Sequence, residues 1–154
     1  MSEEVYHIPV MLKECIEALD IKPNGTYVDV TFGGGGHSKA ILERLSEDGR
    51  LFAFDQDPDA VNNAIEDDRF CLIEENFDKL EESLKLYRAN KVDGILADLG
   101  ISSHQIDCAE RGFSTRFDGA LDLRMNYQKG LTASDVVNSY SLQELCRILN
   151  DYGE

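Results

Sequence analysis

Cysteine, histidine and long apolar runs are all scarce in this sequence of 154 residues. The four cysteines, Cys15, Cys71, Cys108 and Cys146, form no Cys-x-x-Cys pair, and the three histidines are equally scattered. This pattern favours isolated thiols in a reducing cytoplasm over a disulfide framework, and it predicts no structural metal site. No segment resembles a membrane span or a cleavable signal peptide. We therefore expect a cytoplasmic protein that uses neither a metal nor a membrane.

Positive charge is also scarce. Lysine and arginine number 15 against 30 acidic residues, a net charge of −15, which argues against a protein that coats nucleic acid. Segment 111–129 is the exception, because four basic residues there outnumber two acidic ones. This segment can contact a polyanion locally, or it can be a solvated loop with internal ion pairs, and charge alone favours the loop. Its basic residues are Arg111, Arg116, Arg124 and Lys129.

The sequence does contain a regular alternation of short apolar runs and amphipathic stretches over about its first hundred residues. Such alternation is typical of β-α units and a parallel sheet. The predicted strands are 26–31, 51–54, 70–73 and 94–97. The predicted helices are 10–19, a helix near 40–45, a helix that starts at Asp57-Pro58, and 78–87.

The pattern changes after Ser103. Residues 104–130 show neither the helical nor the strand period, and a stretch this long without structure is typical of a functional loop or of an insertion. Two short helices are predicted beyond it, because Thr132-x-x-Asp135 and Ser141-x-x-Glu144 are capping-box patterns.

The first predicted strand ends in four consecutive glycines, Gly33, Gly34, Gly35 and Gly36. Glycines let a ligand approach the backbone closely, and the helix behind them offers free N–H groups. A phosphate-binding P-loop is excluded, because His37 follows the last glycine in place of the required lysine. A dinucleotide fingerprint is only a weak match, since it lacks its third glycine. The turn of S-adenosylmethionine enzymes and a tight turn without ligand both remain.

The ends of the next two strands carry groups that suit a nucleoside. Asp55 follows Gly33 by 22 residues, and an acid about 20 residues after such a turn is placed to accept the ribose hydroxyls. After the third strand, Asn76 and Phe77 supply a polar group and a ring for an adenine. If one nucleoside binds here, the glycine turn and Asp55 must lie on the same rim of the sheet.

The fourth strand ends in a carboxylate, Asp98, followed by the hydroxyls of Ser102 and Ser103. These three are the candidate catalytic residues, because the carboxyl ends of parallel strands meet at one edge. We expect Asp98 to orient the reacting groups and most of the acceleration to come from their alignment.

Several segments together resemble one family closely: the bacterial 16S ribosomal RNA (cytosine-N4)-methyltransferases of the RsmH/MraW type. The most specific segment is 98–125, which begins Asp98-Leu-Gly-Ile-Ser-Ser-His-Gln. The other carriers are His7-Ile-Pro-Val-Met-Leu, Thr31-Phe-Gly-Gly-Gly-Gly-His-Ser38, Phe54-Asp-Gln-Asp-Pro-Asp-Ala60 and Asn76-Phe77. The resemblance covers nearly the whole chain and corresponds to the N-terminal portion of the family. His104 and Ala120 stand where the family has proline.

The resemblance implies the fold class α/β, with a Rossmann-like S-adenosylmethionine-dependent methyltransferase fold. Residues 1–103 would form the cofactor-binding core with the first four strands of its parallel sheet, and 104–154 the start of an inserted helical substrate module. The implied reaction is methyl transfer from S-adenosyl-L-methionine to the N4 amine of a cytidine in 16S ribosomal RNA of the small subunit. The implied cofactor contacts are Gly35, Gly36, His37, Asp55, Phe77, Asp98 and Gln105. With an RNA substrate implied, the predicted RNA contacts are the basic residues Arg111, Arg116, Arg124 and Lys129.

Family members are longer, so we expect a fragment or a truncated form whose activity is open, with a homodimer as an open alternative to a monomer. One alternative function is a non-catalytic module that binds S-adenosylmethionine or a related nucleoside. A second is an NAD-dependent reductase, although its Tyr-x-x-x-Lys pattern at Tyr87 and Lys91 precedes the fourth strand, where the proton relay of a reductase does not belong.

Overall fold

The computed structural model of the chain describes residues 9–153, so His7 and Ile8 of the first family motif lie outside the described residues. The chain divides after Gly100 into two compact units. Sequence reasoning predicted a division after Ser103. Within residues 9–153, no helix has the length and apolar character needed to cross a membrane.

The first unit is built on a four-stranded parallel sheet with the order β3-β2-β1-β4. Its strands are β1 (Thr26–Asp29), β2 (Arg50–Phe54), β3 (Phe70–Ile73) and β4 (Gly94–Leu96). The four predicted strands are confirmed, with β1 two residues shorter at its end than predicted. Val30 still donates its N–H to the carbonyl of Leu96, but the N–H of Thr31 turns to the side chain of Asp29.

Apolar side chains alternate along the strands and cover both faces of the sheet. Tyr27 and Leu51 pack on one face with α1 (Leu12–Ala18) and α2 (Gly36–Leu42). Val28 and Phe52 pack on the other face with α3 (Leu80–Leu86). Helices on both faces are what right-handed crossovers between parallel strands produce, and they leave the carboxyl ends of the strands at one edge.

Two local predictions in this unit are confirmed in part. Helix α2 follows the glycine turn as predicted, but it spans Gly36–Leu42 and ends before Leu45, which was predicted to belong to it. The helix start at Asp57-Pro58 is confirmed, since the Asp57 side chain accepts the N–H of Asp59, but the helix that follows, Pro58–Asn63, is a 3-10 helix. A second 3-10 helix, Phe77–Lys79, precedes α3.

The second unit contains α4 (Ser103–Asp107), a 3-10 helix (Ala109–Arg111), α5 (Ala133–Ser139) and α6 (Leu142–Tyr152). The capping boxes predicted for the last two helices are confirmed. The prediction of a structureless stretch from residue 104 was wrong at its start. Ser102 and Gln105 form a third capping box, which is the same Ser-x-x-Glu/Gln signal and could have been recognised.

Candidate nucleoside-binding site at the carboxyl edge of the sheet

The glycine turn after β1 and the acid after β2 meet directly. The N–H of Gly33 donates to Oδ2 of Asp55 at 2.7 Å, and the carbonyl of Gly33 accepts from Nδ2 of Asn63 at 3.0 Å. Oδ1 of Asp55 accepts the N–H of Asp57 at 2.9 Å. A carboxylate can accept about four hydrogen bonds, so Asp55 keeps acceptor capacity for a ligand. The two features lie on one rim, as a shared nucleoside requires.

Asp55 is poised between two opposing electrostatic effects. Burial raises the pKa of its carboxyl above the ordinary value of 3.8, while the N–H groups of Asp57 and Gly33 lower it. The net direction is upward. A hydroxyl donor placed on Asp55 would therefore meet a carboxylate that is incompletely solvated, which strengthens each hydrogen bond it forms.

The glycines do not all serve the same purpose. Gly33 has a φ of 50°, and a Cβ built there would find nothing closer than the carbonyl of Thr31 at 4.0 Å, so this backbone borders open space. At Gly35, with a φ of 76°, a Cβ would lie 3.0 Å from the ring of Phe32. At Gly36 it would lie 2.5 Å from Cγ of Pro9. Gly33 therefore leaves room beside its backbone, whereas Gly35 and Gly36 allow the turn to pack; Gly34 is half-buried.

The end of β3 is joined to the end of β2 by side-chain amides. Nδ2 of Asn76 donates to Oε1 of Gln56 at 3.0 Å, and Oδ1 of Asn76 accepts the N–H of Asp78. Phe77 follows with 44% of its surface exposed, a large value for an aromatic residue. The ring of Phe77, which was predicted to cover an adenine, is therefore not buried in the core.

His37 and Asp98 face each other beyond the glycine turn. Nδ1 of His37 lies 4.0 Å from Oδ2 of Asp98, with the His37 side chain 6% exposed and that of Asp98 55% exposed. Nε2 of His37 is buried and has no hydrogen-bond partner within residues 9–153. A buried donor or acceptor without a partner is unfavourable, and a polar ligand group would satisfy it.

Sequence reasoning missed Asp29, the last residue of β1. Its carboxylate is completely buried. Oδ2 accepts the hydroxyl of Ser38 at 2.7 Å, and Oδ1 accepts the N–H of Thr31 at 3.0 Å. Burial raises the pKa of Asp29, and the hydrogen bonds from Ser38 and Thr31 oppose the rise. A charged residue inside an apolar strand, four residues before the first glycine of the turn, was the available signal.

The raised pKa of Asp29 gives a pH-dependent stability. The folded state binds this proton more tightly than the unfolded chain, so the contribution to the unfolding free energy is complete below the ordinary pKa and is lost as pH rises through the folded pKa. We expect Asp29→Asn to reduce the fall in unfolding free energy as pH rises above the ordinary pKa of 3.8, measured by urea denaturation. Asp93→Asn is the control: Lys22 lowers the pKa of Asp93, so its loss should not reduce that fall. An unchanged slope in Asp29→Asn contradicts the prediction.

The remaining predicted site residues belong to the second unit. Ser102 and Gln105 form a reciprocal cap: the Ser102 hydroxyl accepts the N–H of Gln105 at 3.1 Å, and Oε1 of Gln105 accepts the N–H of Ser102 at 3.0 Å. Gln105 is buried and Ser103, the first residue of α4, is half-buried. Their proposed contacts with the cofactor and with the reacting groups stay predictions.

The four basic residues of segment 111–129 differ in their surroundings. Arg111 is buried, donates to the carbonyls of Arg124 and Met125 at 3.1 and 2.8 Å, and stacks on Tyr127. Arg124 forms an ion pair with Asp122, with 2.6 Å between Nη2 and Oδ2. The other two, Arg116 and Lys129, are exposed, with Arg116 in contact with Asp107 at 2.9 Å. The geometry therefore favours Arg116 and Lys129 for contact with a polyanion.

Replacing Arg111 with alanine should destabilise the protein much more than replacing Arg116. We expect Arg111→Ala to lower the free energy of unfolding by roughly 2–4 kcal/mol, because the buried guanidinium and its hydrogen bonds to two half-buried carbonyls are lost. Arg116→Ala should change it by less than about 0.5 kcal/mol, since its ion pair is exposed. Urea denaturation followed by circular dichroism measures both. Equal losses would show that Arg111 does not organise the segment.

Across the described residues, no group of three or more histidine, cysteine, aspartate or glutamate side chains is arranged to hold a metal ion. The residues present do fit a nucleoside without phosphate. Gly33 borders open space, Asp55 can accept hydroxyls, and a buried imidazole nitrogen lacks a partner.

The strand order, the glycine turn after β1 and the acid after β2 define a Rossmann-like α/β domain of the methyltransferase type. The sequence model of the MraW methylase family matches residues 4–154. The chain belongs to that family.

Curated relatives agree with this assignment. The chain is 60% identical over 149 residues to the ribosomal RNA small subunit methyltransferase H of Flavobacterium johnsoniae, covering 97% of this chain and 49% of the relative. The proteins of the same name from Christiangramia forsetii and Bacteroides fragilis are 58% and 55% identical, covering 97% and 99% of this chain. The chain spans about half the length of these relatives, 49% of the second and 50% of the third.

Proposed function

We propose that this protein is an S-adenosylmethionine-dependent methyltransferase that acts in the cytoplasm on the N4 amine of a cytidine in 16S ribosomal RNA of the small subunit. The observation that carries the proposal is the 2.7 Å hydrogen bond between the N–H of Gly33 and Asp55, which puts the glycine cradle and the ribose acceptor on one rim. Family membership and the names of the relatives support the reaction class and the RNA substrate.

Each strand end would contact a different part of the cofactor. The backbone at Gly33 and Gly34 would lie against it, Asp55 would accept its ribose hydroxyls, and Phe77 would cover its adenine. The buried Nε2 of His37 has no partner within residues 9–153 and would gain one from a polar group of the cofactor. The family resemblance adds Asp98 and Gln105 to this set.

When bound, S-adenosylmethionine supplies a methyl group attached to a positively charged sulfur. The amine of cytosine is a poor nucleophile because its lone pair is delocalised into the ring. Asp98, whose side chain is 55% exposed, can accept a hydrogen bond from that amine and hold its lone pair in line with the methyl group. Ser102 and Ser103 are proposed to assist in this orientation.

A base within folded RNA must leave its stack to reach such a pocket. Arg116 and Lys129 are exposed basic residues of the second unit and are the proposed contacts with the RNA backbone. Phosphate contacts of this kind weaken as salt concentration rises.

Calorimetric titration of the chain with S-adenosylmethionine, NAD and ATP tests the cofactor assignment. We expect binding of S-adenosylmethionine only; binding of NAD in its place would favour a reductase. Transfer of a labelled methyl group to small ribosomal subunits, followed by nucleoside analysis, tests the reaction. Binding without transfer would instead support a non-catalytic module.

A further inference from the structure

The side chains of Asp29, Thr31 and Ser38 form a hydrogen-bonded cluster behind the candidate site. The hydroxyl of Thr31 lies 3.4 Å from Oδ1 of Asp29, to which it donates, and the Thr31 N–H donates to the same oxygen at 3.0 Å. The Ser38 hydroxyl donates to Oδ2 at 2.7 Å. Three donors therefore converge on one fully buried carboxylate, which compensates for its lost hydration.

The Thr31 hydroxyl also reaches the end of β4. Its oxygen accepts the N–H of Asp98 at 2.8 Å, although 67 residues separate the two in sequence. Because the single hydroxyl proton is directed at Asp29, the oxygen lone pairs are left for Asp98. The cluster therefore contacts two parts of the candidate site. Thr31 holds the backbone of Asp98, and Ser38 lies in the first turn of α2, which also carries His37.

We propose that Thr31 is a positioning residue that fixes the Asp98 side chain for S-adenosylmethionine and its methyl acceptor, with Asp29 orienting the Thr31 hydroxyl. A stabilising role alone would not need the bond to Asp98, because β1 and β4 are already paired along Tyr27, Val28 and Asp29. The bond to Thr31 lies beyond the last paired residue of β4, where the chain turns to expose Asp98. This inference rests on the proposed function for its ligand, but the contact itself can be tested without ligand.

A double-mutant cycle separates positioning from general stability. We expect Thr31→Val, which keeps the shape and removes the hydroxyl, to weaken S-adenosylmethionine binding about five-fold in calorimetry. In the Asp98→Ala background the same change should have less than about a two-fold effect, because no carboxylate remains to be positioned. Thr31→Ser keeps the hydroxyl and should bind with the parent affinity. Thr26→Val, at the opposite end of β1, should also leave the affinity unchanged. Equal weakening in both backgrounds, or no weakening, overturns the proposal.

Exchange of the Asp98 amide proton, measured by NMR without ligand, supplies the second readout. We expect faster exchange in Thr31→Val and parent-like exchange in Thr31→Ser, with thermal unfolding monitored to confirm that both variants are folded. If the parent chain fails to bind S-adenosylmethionine, the proposed function fails. The amide exchange still tests whether the Thr31 hydroxyl holds the Asp98 N–H. Exchange that does not respond to Thr31→Val overturns the inference whether or not the ligand binds.

Discussion

Replacing Asp55 with alanine is expected to raise the dissociation constant for S-adenosylmethionine about 100-fold. Hydrogen bonds to a charged group contribute about 1.5–3 kcal/mol each, and a factor of 100 corresponds to about 2.7 kcal/mol. Asp55 would supply the ribose acceptor and also holds the N–H groups of Gly33 and Asp57. Its removal releases the glycine turn and, under the proposed function, also removes a contact with the ligand.

The conservative variant removes only part of what alanine removes. Asp55→Asn keeps one oxygen acceptor and loses the charge, so we expect an increase of about 10-fold in the dissociation constant, between the parent and the alanine variant. Asp68→Ala removes an acid of the same type from an exposed position of the same unit and should leave binding unchanged. Calorimetry gives all four constants. Parent-like affinity in Asp55→Ala, with the fold intact by circular dichroism, would remove Asp55 from the site.

The sheet could be predicted from sequence because its strands are short, apolar and separated by clear turns. Phe70–Ile73 is predicted at its exact bounds, since both faces of β3 demand apolar side chains. The shared rim of the glycine turn and Asp55 follows from the rule that parallel strands end at one edge. The sequence pattern could not predict that β1 ends at Asp29. The strand ends there because the N–H of Thr31 bonds to the Asp29 side chain.

The buried cluster escaped prediction for a related reason. Asp29 interrupts an apolar strand, and sequence alone does not show whether such a carboxylate faces solvent or donors. Its partners, Thr31 and Ser38, lie on either side of the glycine turn, so only folding of that turn brings both to one carboxylate.

The basic segment shows the opposite limit. Net charge treats Arg111 and Arg116 alike, but the first is buried against carbonyl oxygens and the second is exposed beside Asp107. An arginine can be buried only where the folded chain places carbonyl acceptors around its guanidinium. Composition does not show where those acceptors lie.

Replacing Asp98 with alanine is expected to lower the single-turnover rate of methyl transfer about 100-fold, the largest effect on the chemical step. Positioned groups that align a nucleophile contribute in this range. The test uses labelled S-adenosylmethionine at saturating concentration with small ribosomal subunits, so that weaker cofactor binding does not enter the rate. Asp98→Asn should be slowed less, because an amide oxygen still accepts a hydrogen bond from the amine.

The pH dependence of that rate decides what Asp98 does. If Asp98 aligns the amine through a hydrogen bond, the parent rate should be flat near neutral pH, and Asp98→Asn should be slower by a constant factor. If Asp98 were an obligatory base, the parent would show an ionisation near neutrality that Asp98→Asn abolishes.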